Sequence, residues 1–208
     1  MTEHSYTTPE EVRDYLDRTG NAATSSSSNE RLAFPIATAT DVIDKFCGRV
    51  FTLTTEEARV FPVEVYDSTG AASYMAIDDV TVDDVSSVVI EHADTPSDTW
   101  APYTGKWWLG PLPKLEGWPY TFLYLRTPRQ LTGRYVRLTT DWGWADEPAP
   151  ASVNRACTML ASRYFLRGSS PLGQENVNAE FGTVFVRRVD PDIQHMLRPY
   201  KREHLVAW

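Results

Sequence analysis

The chain changes its hydrophobic period twice. Up to about residue 50 apolar positions recur at steps of three and four; from about Arg59 to Trp142 they alternate with polar ones; from about Ala149 the helical step returns. In the first stretch, TPEEVRDYLDR predicts a helix with Thr8 as N-cap, Pro9 at the first helical position and Glu11 three residues after Thr8, as in a capping box. Val12, Tyr15 and Leu16 give that helix one apolar stripe, and Gly20 ends it. NAATSSSSN, near 20–28, has the composition of a flexible linker. A second helix is expected from about Asn29 to Cys47 on the stripe Leu32, Ile36, Ala39, Ile43 and Phe46. Pro35 should kink it or mark its first turn, and Gly48 is placed as its C-cap.

In the middle block RVFPVEVY, SYMAI, SSVVIEHA, YTFLYLR and GRYVRLTTDW read as five strands, with DSTG and LTG as turns. The connections are too short for helical crossovers, so the sheet should be antiparallel. WAPYTGKWWLGPLPKLEGWP, between strands, reads as an irregular loop with aromatic anchors. A third helix is expected from about Ala149 to Arg167, with Val153, Cys157, Leu160, Ala161 and Tyr164 as its apolar face. After a second loop and the strand-like TVFVRRV, Asp190 should cap a brief helix carrying Ile193, Met196 and Leu197. The order of helices, strands and helices predicts an α+β fold, in which a helical bundle built from both chain ends carries an inserted antiparallel β module. The expected divisions are 1–58 for the N-terminal helices, 59–142 for the β insertion, 143–198 for the C-terminal helices and 199–208 for a tail. Trp142 to Pro150 would be the aromatic-anchored corner that returns the chain to the bundle.

Composition narrows the chemistry. The chain of 208 residues is 42% hydrophobic and 23% charged, and no apolar run approaches the ~20 residues of a membrane span. The start, MTEHSYTTPEE, lacks a secretory pattern, so synthesis in the cytoplasm is expected. Cys47 and Cys157 then read as buried free thiols rather than a disulfide. A net charge of −8 argues against general nucleic-acid binding. Its distribution is uneven: residues 1–146 hold 12 Lys/Arg against 22 Asp/Glu, and residues 147–208 hold 8 against 6. An acidic body with a basic tail suggests different partners at the two ends.

Catalytic motifs are absent: no phosphate loop, no dinucleotide fingerprint, no nucleophile elbow and no paired histidines on a helix face. Asp78, Asp79, Asp83 and Asp84 resemble a calcium loop only loosely, since IDDVTVDDVSS lacks its glycine and closing glutamate. Alternating with Val80, Val82 and Val85, they read as solvated turns of the sheet. His4, His92, His195 and His204 have no ligand-like partners nearby in sequence. Neither catalysis nor a metal or other cofactor is therefore expected. Trp100, Trp107, Trp108 and Trp118 have three readings: a sugar-stacking platform, a protein contact surface, or staples of a loop onto a thin β module. A small metal-dependent enzyme and a carbohydrate- or surface-binding module are the readings from other functional classes. In the tail, Tyr200, Leu205, Val206 and Trp208 intersperse charged residues, a pattern that favours docking on a partner over simple solvation.

Several segments, taken in order, resemble the head–tail connector (adaptor) proteins of long-tailed bacteriophages. They are YTTPEEVRDYL, ATATDVIDKFCGRVF, DWGWADEPAPASVNRACTMLASRYF, SPLG and VDPDIQHMLRPYKR. The resemblance covers residues 6–51 and 140–203, and the large β insertion looks like the version in phages of actinobacteria. It implies a non-enzymatic virion protein, a homo-oligomeric ring, expected to be a dodecamer, between the portal and a stopper or tail-completion protein. Double-stranded DNA would pass through without sequence-specific binding, and no membrane is involved; another neck protein of the virion is the alternative. Arg198, Pro199, Tyr200, Lys201, Arg202, Leu205, Val206 and Trp208 would dock on the portal. A second face of the third helix, with Asn154, Arg155, Arg163 and Arg167, would meet the neighbouring subunit. Ser169, Ser170, Gln174, Glu175, Asn176 and Asn178 would belong to a channel loop.

Overall fold

The computed structural model describes residues 4–20, 28–63, 72–82, 84–126, 134–145, 149–169 and 191–202. The fold is mixed α+β and the chain divides into two compact units, one of residues 1–51 with 148–208 and one of residues 52–147. The unit boundaries fall at Phe51/Thr52 and Glu147/Pro148, whereas the period change had placed them at 58/59 and 142/143. At the first boundary the difference arises because the first strand begins in TTEE, polar residues with no alternation to betray it.

In the helical unit, α1 (Pro9–Arg18) starts on the expected capping box: the Thr8 hydroxyl accepts from the Glu11 N–H at 3.2 Å, and the Glu11 carboxylate accepts from the Thr8 N–H at 2.9 Å. Val12 and Leu16 are fully buried and Tyr15 is half-buried. Helix α2 (Asn29–Cys47) buries Leu32, Pro35, Ile36, Ala39, Thr40, Ile43 and Cys47, so its stripe ends on Cys47 and leaves Phe46 half-buried. Pro35 lies inside α2 rather than at its start. Gly48 closes the helix in the left-handed region at φ 66°, its N–H donating to the Asp44 carbonyl at 2.8 Å. Helix α3 (Ala151–Ser169) contacts α1, α2 and α4 (Pro191–Leu197). Its buried face is wider than an apolar stripe alone, because Thr158 and Ser162 join Val153, Ala156, Cys157, Leu160, Ala161 and Phe165. Their hydroxyls donate back to carbonyls four residues earlier, at 3.0 and 2.8 Å, and so enter the core satisfied. Ile193 and Leu197 of α4 complete the core, and a 3₁₀ turn, Arg198–Tyr200, follows.

Among the described residues the β unit has seven strands, all paired antiparallel: β1 (Thr54–Pro62), β2 (Ala72–Val80), β3 (Val89–Ala93), β4 (Ala101–Pro102), β5 (Trp107–Gly110), β6 (Tyr120–Arg126) and β7 (Tyr135–Trp142). The order is β4-β3-β7-β2-β6-β5, with β1 also on β7. β7 is the organiser: Val136, Leu138, Thr140 and Trp142 alternate inward as RYVRLTTDW predicts, while β1 and β3 pair along its length and β2 joins at Trp142. Its inward residues meet Met75, Ile77, Val80, Ile90, Leu109, Leu123 and Leu125 in one core cluster. Two strands exceed the expected five. β4 and β5 lie in the Trp/Pro/Gly-rich stretch, where runs of two and four residues are too short to show a period. The turns DSTG and LTG, the capping residue Asp190 and TVFVRRV lie outside the described residues.

The corner after β7 depends on a backbone position. Gly143 has φ 106°, donates its N–H to the Asp79 carbonyl at 2.8 Å and accepts the Thr81 hydroxyl at 2.7 Å. A Cβ there would stand 2.2 Å from the Thr52 carbonyl oxygen. Trp142 and Trp144 flank it, their indole N–H groups donating to the Glu57 carbonyl at 2.7 Å and the Asp79 carboxylate at 3.1 Å. Gly143→Ala should therefore lose more than about 2 kcal/mol, combining backbone strain with a backbone clash. Gly117→Ala, at φ 75° with nothing within 4 Å, should lose only about 1 kcal/mol. Urea unfolding of the two variants checks this; equal losses would show that the corner yields.

Candidate functional site

Parts of three segments that resemble the connector family, around Tyr6, Cys47–Phe51 and Tyr200–Arg202, meet at the C-terminal end of α2, whereas SPLG lies outside the described residues. CGRVF, Cys47–Phe51, lies at the centre of that meeting. The Cys47 carbonyl, one of the acceptors a helix end leaves open, takes the Arg202 N–H at 2.7 Å. Lys201 sits 5.9 Å above the Phe46 ring. The Lys201 ammonium thereby stands near the end of α2, where the helix dipole is negative. The Phe51 ring is clasped edge-on between Tyr6, at 5.5 Å and 87°, and Tyr200, at 5.8 Å and 77°. The Tyr6 hydroxyl donates to Asp44 at 2.5 Å and accepts the Phe51 N–H at 2.9 Å; the second Asp44 oxygen lies 2.8 Å from His4 Nε2. Burial, and then the bond to Asp44, push the Tyr6 phenol far above its usual range, so it remains a donor at every working pH.

A second set of bonds ties the start of α1 to α3. Asn154 Nδ2 donates to the Tyr6 carbonyl at 2.8 Å and to the Glu11 carboxylate at 3.1 Å. The Thr7 hydroxyl donates to Glu11 at 2.9 Å and lies 2.7 Å from the Thr158 hydroxyl. Burial works to raise the Glu11 pKa, but bonds from the Thr8 N–H, the Thr7 hydroxyl and Asn154 outweigh it and hold the carboxyl below its ordinary value. Cys47 and Cys157 are buried and free, and burial pushes each thiol up to about 12. They pack; they are not poised to react.

The residues proposed for the tail and the ring contact are partly engaged within the chain. Arg198, Pro199 and Lys201 are exposed, Tyr200 and Arg202 are half-buried, and Leu205, Val206 and Trp208 lie outside the described residues. Asn154 is committed to α1 as above, and the Arg155 guanidinium covers the Tyr15 ring at 4.7 Å. Arg163 and Arg167 are half-buried on α3. Ser169 is the last residue of α3, not the start of a loop; Ser170, Gln174, Glu175, Asn176 and Asn178 lie outside the described residues. Alongside α2 and α3 runs a groove of about 410 Å³, lined by Arg31, Phe34, Pro35, Thr38, Tyr164 and Phe165; Phe34 is 80% exposed.

The tryptophans do not form one cluster. Trp107 packs against the sheet core, Trp118 lies edge-on to Trp144 at 5.0 Å, and Trp100 covers the Arg137 guanidinium at 4.7 Å. Trp108 stands apart on the outer face of the sheet, stacked on Tyr124 at 5.2 Å and 4°. Asp78 pairs with Arg59 at 3.0 Å, Asp79 accepts from Trp144, and Asp84 caps the turn Val85–Ser87; Asp83 lies outside the described residues. Asp44 was not singled out in the sequence, since one acid on a helix gives no sign of the hub it becomes. The aromatic row around Trp108 was legible only as the shared parity of Phe122 and Tyr124 in YTFLYLR.

No protein-family model and no curated protein matches the chain. Among solved structures, a chain of the "Neck of empty GTA particle computed with C6 symmetry" is similar over 88% of this chain and 84% of its own, at 13% identity and a TM-score of 0.49. A likeness of that degree carries no argument about function.

The hydrogen-bond hub makes two testable statements. Tyr6→Phe removes the hydroxyl that serves both Asp44 and the Phe51 N–H, and should cost about 1–3 kcal/mol by urea unfolding. Because the Glu11 pKa is depressed in the fold, its contribution is complete above the ordinary value of 4.5 and disappears as the pH falls through the folded value. Stability measured from neutral pH down to pH ~3 should therefore fall less steeply in Glu11→Gln than in the natural chain. An unchanged slope would remove Glu11 from the account.

Proposed function

We propose that the chain is a structural virion protein, a head-to-tail connector that forms a ring under the portal, extends the DNA channel and presents a docking surface to the stopper. The observation that supports this best is convergence. YTTPEEV, the end of CGRVF, SVNRACTM and LRPYKR each resemble the connector family in sequence, and the fold brings them against one another through Tyr6, Phe51, Asn154, Thr158, Tyr200 and Arg202. A chance resemblance scattered over the chain has no reason to assemble into one packed site.

The charge balance suits the role. A conduit for DNA must not grip phosphates, since each neutralised phosphate adds affinity through counterion release, and residues 1–146 carry 22 acidic against 12 basic residues. No described helix is long and apolar enough to cross a membrane. In this reading the protein is non-enzymatic and needs no cofactor. The ring is a dodecamer of identical subunits joined by heterologous contacts that close by rotation. The portal arm is redrawn, however. Tyr200 and the Arg202 backbone serve the helical unit, so the part left for a partner is Glu203–Trp208 together with the exposed cations Arg198 and Lys201.

The test is electron cryo-microscopy of the chain mixed with the portal of its own particle, using the full chain and a version ending at Arg202. A ring on the portal's narrow end with the full chain alone is expected. A ring in both samples would keep the connector role and remove the last six residues from the contact. Absence of a ring in both would overturn the role.

A further inference from the structure

Beside the buried face of α2 runs a second, partly covered stripe. Pro35, Thr38, Val42 and Phe46 follow one another at steps of three and four on one side of the helix. Pro35 is buried and the other three are half-buried. At one end of this stripe lies the groove of about 410 Å³, where Phe34 stands 80% exposed beside Pro35 and the Tyr164 and Phe165 rings of α3. At the other end the Lys201 ammonium lies 5.9 Å from the Phe46 ring, and the Arg202 N–H holds the Cys47 carbonyl at 2.7 Å. The stripe thus joins the groove to the place where the chain passes Arg202.

Length indicates the occupant. Past Arg202 the sequence reads EHLVAW, Glu203–Trp208, which lies outside the described residues. From Cys47 back to Thr38 is nine residues of helix, about 14 Å, and back to Phe34 thirteen, about 20 Å. Six extended residues reach about 20 Å. Val206 and Trp208 share one face of an extended chain. With Arg202 fixed at Cys47, Val206 then falls level with Thr38 and Trp208 level with Phe34. We propose that in the free chain Glu203–Trp208 lies along this stripe of its own helical unit, with Trp208 in the groove. The contact takes apolar side chains out of water on both sides, the rings of Phe34 and Trp208 above all. A tether this short presents the segment at roughly millimolar effective concentration, so the contact forms within one copy before it forms between two. The proposal stands apart from the connector reading. If these residues also serve a portal, the portal must first draw them from the groove.

The test places the photo-cross-linker p-benzoylphenylalanine at position 208 of the full chain and irradiates a mixture of ¹⁴N- and ¹⁵N-labelled protein. Links from position 208 to α2 between Arg31 and Thr38, or to α3 between Tyr164 and Gly168, are expected. They should join chains of one isotope only, with a yield that dilution leaves unchanged. Phe34→Ser, at an exposed position, should lower the yield about tenfold. Val206→Ser should lower it in the same direction and guards against a Phe34 variant that has rearranged. Mixed-isotope links into the groove would overturn the proposal in favour of a contact between copies. Links that map elsewhere, an absence of links, or links that ignore both variants would overturn it outright. Each of these results is read on the chain without a portal, so the connector role is judged separately.

Discussion

The helical unit depends on one ring being held from both ends of the chain. Phe51 is the last residue before the chain enters the β unit, and its side chain sits between Tyr6, near the start, and Tyr200, near the end. Burying a ring of this size contributes about 1.5–3 kcal/mol, and each edge-on aromatic pair adds about 0.5–1.5 kcal/mol. Neither partner ring belongs to one of the long helices, so the contact gathers segments that helix packing alone would leave loose. The Tyr6 hydroxyl then joins the Phe51 backbone to Asp44, and the Arg202 N–H closes the end of α2. Continuous packing through α3 depends on that closure, since Asn154 reads the Tyr6 carbonyl and α4 precedes Tyr200.

The same arrangement explains why a whole unit, residues 52–147, is tolerated between two halves of a helical unit: long insertions cost little in loop-closure entropy, about 0.6 kcal/mol per doubling, when the ends are fixed. The β unit in turn supplies its own core around β7 and its own corner at Gly143. Each unit is thus closed by a short aromatic and backbone device next to the chain crossing: Phe51 on one side, and Trp142, Gly143 and Trp144 on the other.

Much of this was legible in the residues. The capping box at Thr8 and Glu11, the left-handed Gly48, the alternation of β7 and the free thiols follow from local rules that tertiary context did not override. The elements that escaped are those whose signal is not local. β1 begins among Thr54, Thr55, Glu56 and Glu57, a strand exposed on both faces and hence without period two. β4 and β5 are too short for any period, and their pairing partners are set by register. The stripe of α2 ends on Cys47, and Phe46 is left half-buried beneath Lys201, a contact from far along the chain. Tyr200 and Asn154, read as surfaces for partners, are half-buried and also make contacts within the chain that no spacing rule reveals, since Phe51 and Tyr6 lie about 150 residues away in sequence.

The central claim is that residues 198–202 belong to the helical unit as structure. Calorimetric unfolding of the full chain beside versions ending at Arg202 and at Leu197 tests it directly. Ending at Arg202 should leave the unfolding of the helical unit unchanged, whereas ending at Leu197 should lower its stability by several kcal/mol through loss of the Tyr200 ring and the Arg202 backbone bond, about 2–4 kcal/mol together. A version ending at Leu197 that unfolds like the full chain would contradict the account.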